Sequence, residues 1–95
     1  MNTISTETKF AYRHKPTNQW CFIYPDAHFG SDGKIEKFAI ILQFVESFNE
    51  HILYNARNII EEDLVESTMN DEKYASQNFE EFELVEIEIE YRLKA

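Results

Sequence analysis

The chain has 95 residues, of which 43% are hydrophobic and 15% aromatic, and it carries a net charge of −9. This length predicts one domain over residues 1–95, and the many aromatic side chains disfavour disorder. With a single cysteine, a polar N-terminus and no apolar run near the roughly 20 residues of a membrane span, we expect no internal disulfide, no signal peptide and a cytoplasmic location.

The negative charge is concentrated in the second half of the sequence. Residues 1–45 contain five basic and four acidic side chains, for +1, whereas residues 46–95 contain four basic and fourteen acidic ones, for −10. Such an asymmetric field disfavours direct binding of nucleic acid or of an anionic membrane. It favours a basic protein as the partner.

Two aromatic-rich segments near the N-terminus predict a β-hairpin. Thr8 to Lys15 and Gln19 to Tyr24 both alternate with period two. Pro16-Thr17-Asn18 between them has turn chemistry, because proline presets φ and asparagine tolerates the left-handed conformation. We expect the aromatic side chains of the two strands to face each other and to stabilise the hairpin.

The middle of the chain predicts a loop followed by helix. Pro25 to Gly33 is rich in turn residues and is expected to be the loop. From Ile35 to about Glu50 apolar residues recur at i, i+3, i+4 and i+7, which predicts an amphipathic helix. A strand over Phe38–Val45 stays open, because a short apolar run fits both structures. His51 to Ala56 favours a short strand over a continuation of the helix.

A second helix is predicted from Ile59 to about Met69. Asn58 and Glu61 have the spacing of a capping box, and the carboxylates of residues 61–63 would lie in the first turn, at the positive end of the helix dipole. Asn70 to Asn78 is expected to be a polar connection containing at most one helical turn.

The segment from Glu83 to Leu93 has the clearest pattern in the sequence, because apolar and polar residues alternate with period two. This predicts a strand with one buried face. The apolar face would carry Val85, Ile87, Ile89, Tyr91 and Leu93. The other face would carry Arg92 and three glutamates, Glu86, Glu88 and Glu90, which we name the glutamate ladder.

These elements predict an α+β fold with the order ββα(β)αβ. An antiparallel sheet would include the N-terminal β-hairpin and the C-terminal strand, with one or two helices packed on one face. The predicted core consists of Phe10, Tyr12, Trp20, Phe22, Phe38, Ile41, Leu42, Val45, Phe48, Ile60, Leu64, Val85, Ile87, Ile89 and Tyr91.

The glutamate ladder has two open interpretations. It could be the solvated face of a sheet, neutralised by Lys9, Arg13 and Lys15 on a neighbouring strand. Alternatively, it could join the acidic helix as a recognition surface that imitates the phosphates of DNA and occupies the groove of a basic protein. A calcium site is disfavoured because this stretch has no glycine turn.

The histidines and the cysteine are the soft metal-ligand candidates: His14, Cys21, His28 and His51. Because none has the spacing of a zinc motif, we expect neither a metal nor another cofactor. Cys21 lies within a predicted strand, where a thiol is inert more often than reactive. An enzyme would need His14 or His28 beside a carboxylate in a dry, concave site, and we expect no enzymatic activity.

Both ends of the chain carry a resemblance. The residues Phe10-Ala11-Tyr12-Arg13-His14-Lys15-Pro16-Thr17 with Trp20, and the closing Phe79-Glu80-Glu81-Phe82-Glu83-Leu84-Val85-Glu86-Ile87-Glu88, resemble small accessory proteins of tailed bacteriophages. The resemblance covers the two ends and implies a viral protein made in a bacterial host's cytoplasm. Such proteins often bind and block a host protein, and the resemblance assigns a role to no residue.

The sequence therefore predicts a non-enzymatic protein that binds and inhibits a basic host protein. The alternatives are a structural homo-oligomer, such as a homodimer paired through an exposed edge strand, and a small enzyme using carboxylate and histidine chemistry. The predicted partner-binding residues are Glu80, Glu81, Glu83, Glu86, Glu88 and Glu90, supported by Glu61, Glu62, Asp63 and Glu66.

Overall fold

A computed structural model describes residues 3–94, which form one four-stranded antiparallel sheet and two short helices. The strand order in the sheet is β3-β2-β1-β4. This confirms the α+β class, the N-terminal hairpin and the C-terminal strand. The elements are β1 (Thr3–His14), β2 (Gln19–Phe29), β3 (Ile35–Val45), α1 (Arg57–Glu66), α2 (Tyr74–Gln77) and β4 (Phe82–Arg92), with 3₁₀ turns at Glu50–Ile52 and Phe79–Glu81.

The N-terminal hairpin is paired only at its turn. Asn18 has φ 57° there, as the turn chemistry predicts, but β1 and β2 pair only through Arg13 with Trp20 and His14 with Gln19. Beyond these pairs the strands diverge, and the sheet becomes two long ribbons, β1–β4 and β2–β3. The prediction that the aromatic side chains of the two strands face each other is wrong. Trp20 lies opposite Arg13, so its side chain is on the face of Arg13 and not on the face of Tyr12.

The chain between β3 and α1 fills the gap between the diverging strands. Phe48 packs on Trp20 on one face of the sheet, with ring centroids 5.4 Å apart. Tyr54 reaches the other face, where its hydroxyl donates to Asp63 of α1 at 2.8 Å. Midway, Ile52 is fully buried, and the backbone N–H groups of Tyr54 and Phe10 donate to each other's carbonyls at 2.8 Å. We name residues 46–56 the crossing segment.

The main core lies between the sheet and the two helices, on what we call the helix-bearing face. Tyr12, Leu42, Ile60 and Leu64 are buried as predicted. Three other predicted core residues, Phe38, Phe48 and Tyr91, are instead 59%, 52% and 46% exposed. The buried residues that sequence reasoning missed are Ala11, His14, Cys21, Ile23, Ile52, Ser67, Ala75 and Phe82.

The predicted helix from Ile35 to Glu50 is wrong, since residues 35–45 form β3. This strand pairs with β2 along its whole length, and β-branched and aromatic side chains suit a pleated surface. Both faces of β3 carry apolar residues, for example Leu42 on the helix-bearing face and Ile41 on the other. The alternation that marks a strand is therefore hidden.

The predicted loop from Pro25 to Gly33 is also wrong in its first half, because β2 continues to Phe29. Pro25 lies opposite Ile40, and the Ile40 carbonyl points away from β2, where it accepts from Thr68 at 2.8 Å. The Pro25 nitrogen therefore faces the side from which β1 has diverged. No ladder hydrogen bond is lost there, which is where a strand tolerates proline.

The second helix begins two residues earlier than predicted and lacks the predicted cap. Its N-cap is Ala56, which makes no side-chain hydrogen bond, and its first turn holds no acidic residue. Residues 51–56 form no strand; they contain the end of a 3₁₀ turn and the isolated bridge of Tyr54. The single helical turn allowed within residues 70–78 is present as α2.

The ribbons make the molecule elongated. The radius of gyration is 16.2 Å, whereas a compact chain of this length has about 12 Å. The accessible surface is 6844 Å², against about 5,700 Å² for a compact protein of this mass. No helix within residues 3–94 is long and apolar enough to cross a membrane.

We predict that Ile52→Ala destabilises the protein by about 2–5 kcal/mol, because it leaves a cavity where the crossing segment fills the sheet. Ile59→Ala is the matched control, since that side chain is 49% exposed, and its cost should stay within about 1 kcal/mol. Urea unfolding of the two variants measures the difference. Equal costs would contradict the role given to the crossing segment.

Candidate functional site

The glutamate ladder lies on the helix-bearing face of the β1–β4 ribbon. Glu86, Glu88 and Glu90 are exposed there, and neighbouring carboxylates are about 6.7 Å apart along the strand. The residues opposite them on β1 are uncharged: Phe10, Thr8 and Thr6 respectively. The ladder therefore faces no cation across the ribbon.

The cations of β1 lie on the opposite face of the ribbon. Lys9 stands opposite Ile87 and Arg13 opposite Glu83, so strand alternation separates them from the ladder. Arg13 pairs with Glu83 at 2.7 Å and Lys9 with Glu7 at 3.5 Å. Neutralisation of the ladder by Lys9, Arg13 and Lys15 is thus wrong, since Lys15 follows the end of β1 and forms no salt bridge within residues 3–94.

The ladder itself has few internal partners. Within residues 3–94, Glu86 and Glu88 form no salt bridge, and Glu90 pairs with Arg92 on its own strand, Nε to carboxylate 3.1 Å. Arg57, at the start of α1, lines one shallow surface cleft with Glu86. The ladder is therefore an exposed row of anions with its counter-ions confined to its ends.

The backbone groups of the ladder residues point away from the ribbon. Because the N–H and C=O of Phe10 are bonded to Tyr54, Phe10 and Glu86 form a non-hydrogen-bonded pair, and the N–H and C=O of Glu86 face the outer edge of β4. Strand alternation gives Glu88 and Glu90 the same direction. The odd-numbered residues of β1 therefore bond to the odd-numbered residues of β4. Lys15 continues this pattern, because its N–H donates to the carbonyl of Glu81 at 2.9 Å.

The other predicted partner-binding residues do not all join the ladder. Asp63 accepts from Tyr54, and Glu66 pairs with Lys73 at 3.3 Å. Glu61 and Glu62 are exposed on α1, on the same face of the sheet as the ladder, and line a surface groove of about 590 Å³. Among residues 3–94, all those that line this groove belong to α1, so the groove lies along one helix. Glu80 is exposed in the turn before β4.

Glu81 belongs to a hydrogen-bonded centre around His14. The His14 ring is buried and stacked on Phe44, with centroids 4.3 Å apart. Its Nδ1 lies 2.8 Å from the Thr17 hydroxyl and its Nε2 lies 3.0 Å from Glu81. Tyr74 donates its hydroxyl to the same carboxylate at 2.6 Å. The hydrogen bond from Tyr74 and then that from His14 hold the pKa of Glu81 below its usual value.

The histidine of this centre does not face solvent. His14 is 4% exposed, and both of its ring nitrogens have partners within the protein, Thr17 and Glu81. The centre ties the hairpin turn and α2 to the start of β4. Sequence reasoning could place His14 on the Tyr12 face, but Glu81 is 67 residues away and no local pattern joins them.

The remaining candidates for chemistry are not assembled into a site. Burial raises the pKa of the Cys21 thiol to about 12, so the thiol is protonated and unreactive at neutral pH. His28 pairs with Asp26 at 3.1 Å on the exposed β2–β3 ribbon. Across residues 3–94, no three histidine, cysteine or acidic side chains are grouped as a metal site requires.

The chain matches no protein-family model, no curated protein and no solved structure. Its function must therefore be inferred from its own geometry. The resemblance to bacteriophage accessory proteins stays a prediction.

We predict that Tyr74→Phe destabilises the protein at neutral pH and that this effect fades in acid. The Tyr74 hydroxyl lowers the pKa of Glu81, so the stability it gives is present above the usual glutamate pKa and is lost as the pH falls through the lowered one. Urea unfolding from pH 7 to pH 3 measures this.

Tyr24→Phe is the control for this pH series, because the Tyr24 hydroxyl makes no hydrogen bond to residues 3–94. Its effect on stability should be small and constant with pH. A Tyr74→Phe cost that stays constant down to pH 3 would contradict the link to Glu81.

Proposed function

We propose that this chain is a non-enzymatic binding protein that holds a basic surface of another protein against its glutamate ladder. The observation that carries the proposal is the register of β1 with β4. It sets Thr6, Thr8 and Phe10, and not the cations of β1, opposite Glu90, Glu88 and Glu86. A like-charged row in this position is a cost to the isolated fold, and a cationic partner would remove that cost.

The surrounding charge strengthens the attraction. Residues 46–95 carry −10, and α1 presents Glu61 and Glu62 on the same face as the ladder. A field of one sign speeds the encounter with a basic partner and makes association sensitive to salt. With the resemblance to phage proteins, this supports the proposal of a viral protein that blocks a host target in the bacterial cytoplasm.

The spacing of the ladder favours a basic protein segment over the whole groove of a DNA-binding protein. Duplex DNA carries about one charge per 1.7 Å of axis, whereas the ladder carries one per about 6.7 Å. The ladder thus has roughly a quarter of the charge density of the duplex. Its period instead equals that of every second residue on an extended strand.

We predict that reversing two ladder charges, Glu86→Lys with Glu88→Lys, weakens partner binding by more than about tenfold at low salt. The measurement is affinity capture from a bacterial lysate with the chain immobilised, followed by titration of the captured protein. Binding by the wild type should also fall steeply as salt is added.

The matched control is Glu46→Lys with Glu72→Lys, which makes the same change in net charge at exposed residues outside β4 and α1. It should retain most of the affinity. If both double variants lose affinity equally, net charge and not the ladder attracts the partner. If neither does, the electrostatic proposal fails.

A second candidate function is self-assembly, and the tip of the β2–β3 ribbon favours it. Phe29, Ile35 and Phe38 are 65%, 57% and 59% exposed near this tip. Large apolar side chains clustered on a surface often mark a protein interface. A structural homo-oligomer would bury them against another copy.

Under this second candidate, the sedimentation coefficient of the wild type rises over about two decades of concentration. Phe29→Ser with Phe38→Ser keeps the chain monomeric, because it removes the apolar contact. Phe48→Ser, at a residue 52% exposed elsewhere, is the control and should behave as the wild type. A wild type that stays monomeric throughout rules out this candidate.

A further inference from the structure

We infer that the outer edge of β4 accepts an extended, basic segment of the partner as a fifth, antiparallel strand. This inference rests on the proposed function and names the kind of partner it requires. The partner segment would carry lysine or arginine at every second position and apolar residues between them.

The two outer edges of the sheet differ in how they are covered. The edge of β3 is bonded at its middle by Thr68, which donates to the carbonyl of Ile40 and accepts from the N–H of Leu42, both at 2.8 Å. The edge of β4 has no backbone partner among residues 3–94 other than β1 on its inner side. An open edge of eleven residues is a ready template for another strand.

The free hydrogen-bonding groups on this edge belong to the ladder residues themselves. The N–H and C=O of Glu86, Glu88 and Glu90 face outward, as the bonding of Phe10 to Tyr54 dictates. In an added antiparallel strand, the residue bonded to each glutamate is also directly opposite it, with its side chain on the same face. Three cations at alternate positions would therefore each meet one carboxylate.

On the other face of β4, apolar side chains favour apolar residues between the cations of the added strand. Val85, Ile87 and Ile89 are half-buried there, and Tyr91 is 46% exposed. Apolar residues of an added strand would extend this surface, since side chains opposite each other on one face pack together. The ladder face and the apolar face together specify an alternating basic and apolar sequence.

The same geometry disfavours a second copy of the chain in this position. Two antiparallel copies of β4 that set Glu88 opposite Glu88 also set Glu86 opposite Glu90. Any hydrogen-bonded register that pairs more residues of the two β4 strands than this one also leaves at least one glutamate opposite another. Like charges directly opposite are destabilising, so the ladder protects the edge from self-pairing and leaves it open to a basic strand.

The test uses a capped heptapeptide in which three lysines alternate with valines, titrated into the whole chain. Two derivatives carry the same charge and the same number of N-methyl groups, on the three lysines or on three of the valines. In an antiparallel fifth strand the lysine amides bond to β4 and the valine amides face solvent. Methylation of the lysines should therefore weaken binding by about tenfold or more, and methylation of the valines by much less.

A protein variant gives an independent readout. Glu88→Pro and Glu88→Gln remove the same charge, but only proline also removes the outward N–H. Because that N–H makes no bond to β1, proline suits this position of an edge strand, and the unfolding midpoint checks that the fold is kept. The proline variant should bind the unmethylated peptide about tenfold more weakly than the glutamine variant.

The outcomes separate this inference from the proposed function. Equal affinity of the two methylated peptides, with steep salt dependence, would overturn strand addition and leave attraction to the ladder intact. Absence of binding by every peptide would overturn the inference, and the lysate experiment would still test the proposed function. Protection of the Glu86 and Glu88 amides from hydrogen exchange in the free chain at high concentration would show a second copy on the edge, and would also overturn it.

Discussion

The pair of backbone hydrogen bonds between Tyr54 and Phe10 is the constraint on which the rest of the structure depends. A hairpin that separates after two residue pairs leaves the inner edges of both strands without partners, and buried backbone groups without partners are costly. Tyr54 satisfies β1 in the gap, while its hydroxyl fixes α1 through Asp63. One residue thus allows two ribbons to diverge while they share one core.

The same bonds determine what the far edge of the ribbon displays. Because Phe10 is bonded inward to Tyr54, the odd residues of β1 bond to β4, and the even residues of β4 turn their backbone groups outward. Those even residues are the glutamates of the ladder. Charge and hydrogen-bonding capacity therefore coincide on one edge, and this coincidence connects the fold to the proposed binding function.

Sequence patterns could predict the elements that have one covered face. The alternation from Glu83 to Leu93 predicted β4, and Asn18 predicted the turn between β1 and β2. For β3 the pattern predicts a helix and leaves a strand over Phe38–Val45 open, because apolar side chains such as Leu42 and Ile41 occupy both faces and hide the period of two. The pairing of His14 with Glu81 could not be predicted either, because it joins residues 67 positions apart. Nor could the sequence show that Lys9 and the ladder lie on opposite faces, because this depends on the register of β1 with β4, which is fixed only in the assembled sheet.

The pairing of β1 with β4 joins residues from opposite ends of the described chain, Thr3 with Arg92 among them. Contacts so distant in sequence form slowly, because the intervening loop must close first. During synthesis at the ribosome, the β2–β3 ribbon can therefore assemble early, whereas β1 must wait until the last residues of β4 have emerged. The acidic edge is therefore completed after the β2–β3 ribbon, and a chain truncated before β4 would lack both this edge and the strand that pairs with β1.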